Sequence, residues 1–133
     1  MMLLTKENRN NLPELYSQEH VKDPIVWVKF FDPSGSWTWY ATEFDGEDIF
    51  FGLVSGIDKE LGYFSLKELE SVRGRFGLGI ERDMHFDPKP LSWVKAGKES
   101  ARYEMPKTVA RIKRKTTKSW RSESSPTSIR GMR

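Results

Sequence analysis

The chain has 133 residues, 37% of them hydrophobic and 13% aromatic, with 22 Lys and Arg against 19 Asp and Glu and no cysteine. That length predicts one domain, and a mean hydropathy of −0.64 leaves much of the chain solvated. The missing cysteine excludes a disulfide framework, a zinc ribbon and a thiol nucleophile, and it suits a reducing compartment. Met1-Met-Leu-Leu4 is too short for a signal segment, since Lys6 and Glu7 follow at once, and no apolar run approaches a membrane span. A soluble, cytoplasmic protein without membrane contact is therefore expected.

The net charge of +3 is unevenly divided. Residues 1–94 hold 10 basic and 16 acidic side chains, a balance of −6, whereas residues 95–133 hold 12 and 3, a balance of +9. Such asymmetry predicts an acidic body with an appended basic interaction segment.

In chain order, Thr5 is placed to cap a short helix running to Asn11-Leu12, with Leu4, Leu12 and Leu15 packed inward. Ile25 to Phe31 reads as a strand covered on both faces, because only Lys29 interrupts its apolar run. Asp32-Pro-Ser-Gly35 is a turn by composition. Trp37-Thr-Trp-Tyr40 and Phe50-Phe-Gly-Leu-Val54 form the next two strands, since aromatic and β-branched residues fit a pleated, half-buried surface. Asp45-Gly46 between them predicts a tight hairpin turn with positive φ at both central positions. Leu61-Gly-Tyr-Phe64 is a fourth short strand.

Ser65-Leu-Lys-Glu68 has the spacing of a capping box, and Leu66, Leu69 and Val72 fall on one helical stripe that Gly74 closes. Ile80 to Phe86 reads as a last strand, stopped by Pro88 and Pro90, and Leu91-Ser-Trp-Val94 as a closing turn over the core. The fold class that follows is α+β: a curved, mainly antiparallel sheet of four to six strands with one or two packed helices. The acidic domain is expected over residues 1–95 and a basic, largely disordered tail over 96–133, where Ser, Thr, Lys and Arg replace the apolar residues. The aromatic content exceeds what so small a domain must bury, so an exposed Trp or Phe patch would mark a partner surface.

Three groups of residues are candidates for function. Arg111, Lys113, Arg114, Lys115 and Lys118 form a dense positive run with Trp120 beyond it. RNA or DNA would gain there from counterion release and from stacking on the indole, although a solubilising tail explains the run equally. In an extended strand, Glu81, Asp83 and His85 point to one side, and two carboxylates with an imidazole suit a divalent metal such as zinc. The alternative is an edge strand guarded by alternating charge. Glu43, Asp45, Glu47 and Asp48 form an acidic cluster that lacks the full spacing of a calcium loop, and it is either a partner-binding feature or a solvated hairpin turn. Gly77-Leu-Gly79 lacks the third glycine of a dinucleotide fingerprint, and no serine sits in a nucleophile elbow, so no catalytic residues are assigned and the reading leans against an enzyme.

Leu3-Leu-Thr-Lys-Glu7, Trp37-Thr-Trp-Tyr40 with Thr42-Glu43, Phe50-Phe-Gly-Leu-Val54, Glu60-Leu-Gly-Tyr-Phe-Ser-Leu66, Glu68-Leu-Glu-Ser-Val-Arg-Gly74, Ile80-Glu-Arg-Asp83 and Pro88-Lys-Pro-Leu91 occur in one order without large gaps. Together they resemble the domain-of-unknown-function family 2958, small proteins of bacterial plasmids, conjugative elements and phages. The resemblance implies a mobile-element accessory protein with no established reaction. Some small proteins of this kind have been put forward as anti-CRISPR inhibitors of the type II nuclease Cas9, which makes Cas9 or another nucleic-acid enzyme the expected protein partner. An acidic body would suit a positively charged nucleic-acid channel.

Overall fold

A computed structural model describes residues 2–105 of the chain. The first helix, α1 (Lys6–Asn11), starts where the sequence places it. The Thr5 hydroxyl accepts from the Asn8 N–H, and the Asn8 side chain accepts from the Thr5 N–H, both at 3.0 Å, a reciprocal cap made with Asn instead of Glu. Leu3, Leu4 and Leu12 on either side of α1 are buried, while Leu15 is half-buried.

The apolar run 25–31 is two strands, β1 (Ile25–Val26) and β2 (Val28–Phe31), parted at Trp27. The cause lies in the neighbouring β3 (Thr38–Phe44), whose pairing slips between Ala41 and Glu43. Trp27 donates its N–H to the Ala41 carbonyl at 2.9 Å, and beyond it β1 leaves the main sheet. β2 alternates buried Val28 and Phe30 with half-buried Lys29 and Phe31, so it is not a strand covered fully on both faces. β3 continues into β4 (Ile49–Ser55) and β5 (Lys59–Ser65), an antiparallel meander.

The β3–β4 connection is longer than a two-residue hairpin turn. Gly46 takes a positive φ of 91°, Asp45 does not, and Asp45 Oδ1 instead accepts the N–H groups of Glu47, Asp48 and Ile49 at 2.8, 2.8 and 3.0 Å. An aspartate that gathers three backbone donors makes the turn by side-chain capture. After β5 the chain enters α2 (Leu66–Ser71), with Ser65 accepting from the Glu68 N–H at 3.1 Å. α2 stops at Ser71, three residues before Gly74, with Val72 extended.

The predicted strand 80–86 contracts to β6 (Glu81–Arg82), because Asp83 turns the chain by accepting the His85 N–H at 2.9 Å. β7 (Lys89–Pro90) pairs with β1, and α3 (Leu91–Lys95) follows. The main sheet has five antiparallel strands in the order β5-β4-β3-β2-β6, so the architecture is α+β with a few short helices.

Each face of the sheet has its own core. On the first, Phe50 is fully buried between Phe44 at 4.4 Å and Phe64 at 5.1 Å between ring centroids, under Leu66 and Leu69 of α2. On the second, Tyr40 and Leu53 lie beneath Leu91 and Val94 of α3. Burying both faces explains how so small a chain carries this many aromatic side chains. The body also extends past Lys95. Glu99 is bonded to Lys29 and Tyr40, and Tyr103 meets Trp93 at 5.2 Å, edge to face.

Candidate partner-binding surface

The acidic cluster does not act as one unit. Glu43, just past the slip in β3, is fully buried. Its two carboxylate oxygens accept the N–H groups of Tyr16 and Gln18 at 2.8 and 2.9 Å, holding the 14–20 turn on the second face. A side chain with no exposure cannot touch a partner, so Glu43 leaves the proposed binding set. Asp48 is half-buried, and its carboxylate is tied to the start of α2. Its Oδ1 accepts the Lys67 N–H at 2.8 Å, its carboxylate accepts the Ser65 hydroxyl, and its carbonyl accepts the Leu66 N–H at 2.8 Å. The Lys67 backbone bond, working against a smaller desolvation and aided by Ser65, holds the Asp48 carboxyl below the usual carboxylate range.

What remains exposed at this end of the sheet is Asp45 and Glu47 on the turn, with Glu68 and Glu70 on the neighbouring helix α2. Lys67 is interspersed among them. Behind the turn, the Arg9 guanidinium donates to the Gly46 carbonyl at 3.3 Å and lies 5.5 Å from the centre of the Phe44 ring. The turn is thus fastened from below while its carboxylates face solvent.

The metal-like residues are not gathered. Because β6 ends at Arg82, alternation does not carry Glu81, Asp83 and His85 onto one side. Glu81 and His85 are exposed, whereas Asp83 is occupied by the His85 N–H and by Lys29, whose Nζ lies 3.5 Å away. Among the described residues no group of three or more His, Cys, Asp or Glu is placed to hold a metal ion. The third candidate set, Arg111, Lys113, Arg114, Lys115, Lys118 and Trp120, lies outside the described residues.

A network that spacing could not reveal occupies the second face. The Glu99 carboxylate accepts from Lys29 and, at 2.7 Å, from the Tyr40 hydroxyl, while the Lys89 ammonium donates to the Glu99 carbonyl. Lys89 is itself buried and lies 4.8 Å from the centre of the Phe86 ring. Burial first, and the adjacent Glu99 carboxylate second, push the Tyr40 phenol far above its ordinary value. Burial pushes Glu99 upward too, but the hydrogen bonds from Lys29 and Tyr40 outweigh it and hold the carboxyl below the usual range. A phenol held protonated and a lysine paired to two carboxylates are poor proton-transfer groups. The network acts as a clasp that fastens residues 96–105 to β2 and β3. Its one advance sign was Lys29, the lone charge in the run 25–31.

Beside the clasp, a shallow cleft of about 360 Å³ is lined by Lys29, Asp32, Trp37, Thr38 and Asp83 among others. Asp32 Oδ1 accepts both the N–H and the hydroxyl of Ser34, at 2.9 Å each, so the cleft's carboxylates are engaged in the structure around them. At the sheet end opposite Asp45, the reversals 32–37 and 56–58 present Trp37, 44% exposed, and Ile57, 93% exposed. Gly74 packs against Ser34 there, and the following loop holds Phe76 88% exposed at a φ of 63°. A bulky residue in the left-handed region is strained, which makes this exposed ring a marked feature. Trp37 and Phe76, exposed aromatic side chains of the kind expected from composition, therefore lie at the end away from Asp45 and Glu47.

A family model described as "Protein of unknown function (DUF2958)" matches residues 3–102. No curated protein and no solved structure matches the chain.

Proposed function

The chain belongs to the DUF2958 family, and on that premise we propose that it is an accessory protein of a mobile genetic element that binds and inhibits a nucleic-acid enzyme of its host, most concretely Cas9. The observation that carries the proposal is the separation of carboxylates by job. Glu43, Asp48, Asp83 and Glu99 are spent on internal bonds, Asp45 keeps an exposed side chain although its Oδ1 makes the turn, and Glu47 on the turn and Glu68 and Glu70 on α2 are exposed. Such a surface can compete with phosphates for a positively charged channel, because complementary charge steers encounter and fixes register. The same economy of internal bonds favours binding over turnover.

The test is guide-directed DNA cleavage by Cas9 with the purified chain in large molar excess. Inhibition is expected, and it should fall about tenfold in the pair Glu47→Lys and Glu68→Lys, which reverses exposed charges and leaves the Asp45 and Asp48 caps in place. Unimpaired cleavage with the natural chain would sink the Cas9 assignment. A second reading rests on the positive run in residues 107–121: nucleic acid bound there would dissociate steeply with salt and would be lost when those residues are removed.

A further inference from the structure

The second face of the sheet is covered unevenly. Leu91 and Val94 of α3 lie over Tyr40 and Leu53. Cross-strand partners share a face, and the register sets Leu61 opposite Leu53 and Tyr63 opposite Phe51. The β5 half of this face is therefore apolar as well. Tyr63 meets Phe51 at 5.0 Å and Tyr16 at 6.3 Å between ring centroids, and Leu61 and Tyr63 are 49% and 46% exposed.

The chain beyond the described residues carries a matching surface. Met105, Val109, Ile112, Thr116 and Trp120 recur at intervals of four, three, four and four, the spacing of one helical face. Arg111, Arg114, Lys115 and Lys118 fall on the opposite face, and Lys113 stands beside the stripe. Pro106 suits the first position of such a helix. A helix of about 15 residues is marginal in water by itself, so the stripe needs a surface to order it.

The route of the chain brings the two together. Glu99 is bonded to Tyr40, so the chain runs over this same face before the described residues end at half-buried Met105. Tyr40 pairs with Leu53 and Leu53 with Leu61, two strand spacings of about 5 Å each. The stretch from Glu99 to Met105 spans up to about 20 Å, twice that distance. A helix over residues 106–120 is about 22 Å long, and β5, with seven residues, about 24 Å.

We propose that residues 106–120 form an amphipathic helix that docks along β5 on this face of the same chain, with Val109, Ile112 and Trp120 over Leu61 and Tyr63. The turn that carries Tyr16 also carries Glu14 and Glu19, opposite in sign to Lys113. A tether this short sets an effective concentration on the order of millimolar, which favours the chain's own body over a second copy. Arg111, Arg114, Lys115 and Lys118 then form one row turned to solvent.

Because the chain has no cysteine, pairs of introduced thiols read the docking directly. In full-length chains, Leu61→Cys is combined in turn with Val109→Cys, Ile112→Cys, Arg111→Cys and Arg114→Cys, and each pair is oxidised with glutathione disulfide. The faster of the two stripe positions should close an intramolecular disulfide about tenfold faster than either basic position. Similar rates at all four positions overturn the proposal. Cross-linked dimers in place of cross-linked monomers would assign the face to a second copy and overturn it as well. Far-UV circular dichroism is the second measurement. α1, α2 and α3 hold 6, 6 and 5 residues, so a helix over residues 106–120 nearly doubles the helical content. Leu61→Glu, made on a half-exposed side chain, should lower the helical signal by about half while the urea midpoint of the body stays in place. A helical signal that Leu61→Glu leaves unchanged contradicts docking on β5.

Discussion

A carboxylate without solvent must be matched by donors, and Glu43 is matched by the backbone of the 14–20 turn. Glu43→Gln keeps the shape but turns an amide NH2 toward one of those N–H groups. It should cost about 1–3 kcal/mol, read as a lower urea midpoint with the slope unchanged. An unaltered midpoint would mean that the turn is held by something else. Glu99 makes a different prediction, because its pH response can be signed. Its folded pKa is depressed, since the bonds from Lys29 and Tyr40 outweigh the upward push of burial. The stability it contributes is present above the ordinary carboxylate range and is lost as pH falls through the lowered folded value. Asp48, lowered mainly by the Lys67 N–H, acts with the same sign. Glu99→Gln should therefore flatten the fall of the urea midpoint on the acid side, and superimposable acid limbs would refute the clasp. Tyr40→Phe removes one donor to Glu99 and should shift the same limb in the same direction.

At the scale of elements, β3 leaves no room for a side chain at Gly52 of β4, where an added Cβ would fall 1.8 Å from the Tyr40 carbonyl oxygen. Gly52→Ala must push the two central strands apart and should cost about 3 kcal/mol, measurable by thermal or urea unfolding. Near-neutral behaviour would show that the strands separate without penalty. The elements legible in the sequence were those whose signals are local: Thr5 and Ser65 capping their helices, the aromatic meander, and the closing turn that became α3. The misread ones depend on distant partners. The run 25–31 looked like one strand, but the slip in β3 that admits buried Glu43 draws Trp27 onto Ala41 and breaks it. The run 80–86 alternates as a strand should, but the Asp83 side chain bends the chain back through the His85 N–H and Lys29. Helix α2 ends early because Val72 turns extended and Arg73 bridges to Gly79. No periodicity in the sequence carries those events.

Over the whole molecule, Asp45, Glu47 and the start of α2 stand at one end of the sheet, and Trp37, Ile57 and Phe76 are exposed at the other, where Asp58, Lys59 and Glu60 are exposed beside Ile57. The net acidity of the body was readable from composition, but the burial of Glu43 and the bonding of Asp48 to the start of α2 were not, because both belong to the tertiary structure. The clasp also carries the folded body beyond the point where the composition changes, since Glu99 stands among residues that read as tail. Truncation after Tyr103 keeps the clasp and removes the positive run. If the acidic end carries inhibition, the truncated chain should inhibit as well as the full one, whereas loss of inhibition on truncation would move the function to residues 107–121.

The stacked indoles of Trp37 and Trp39 supply an optical gauge at the end opposite the Asp45 turn. Their centroids are 6.2 Å apart with the planes inclined by 27°, and Trp37 is the more exposed of the two. Rings so close couple their excited states, so the pair should contribute a paired positive and negative band to the ultraviolet dichroism, which Trp37→Phe would erase. A ligand settling over Trp37 must alter that signal, and one settling on the Asp45 turn must leave it untouched. Ordinary spectroscopy on the unlabelled chain can thus report which pole has been covered.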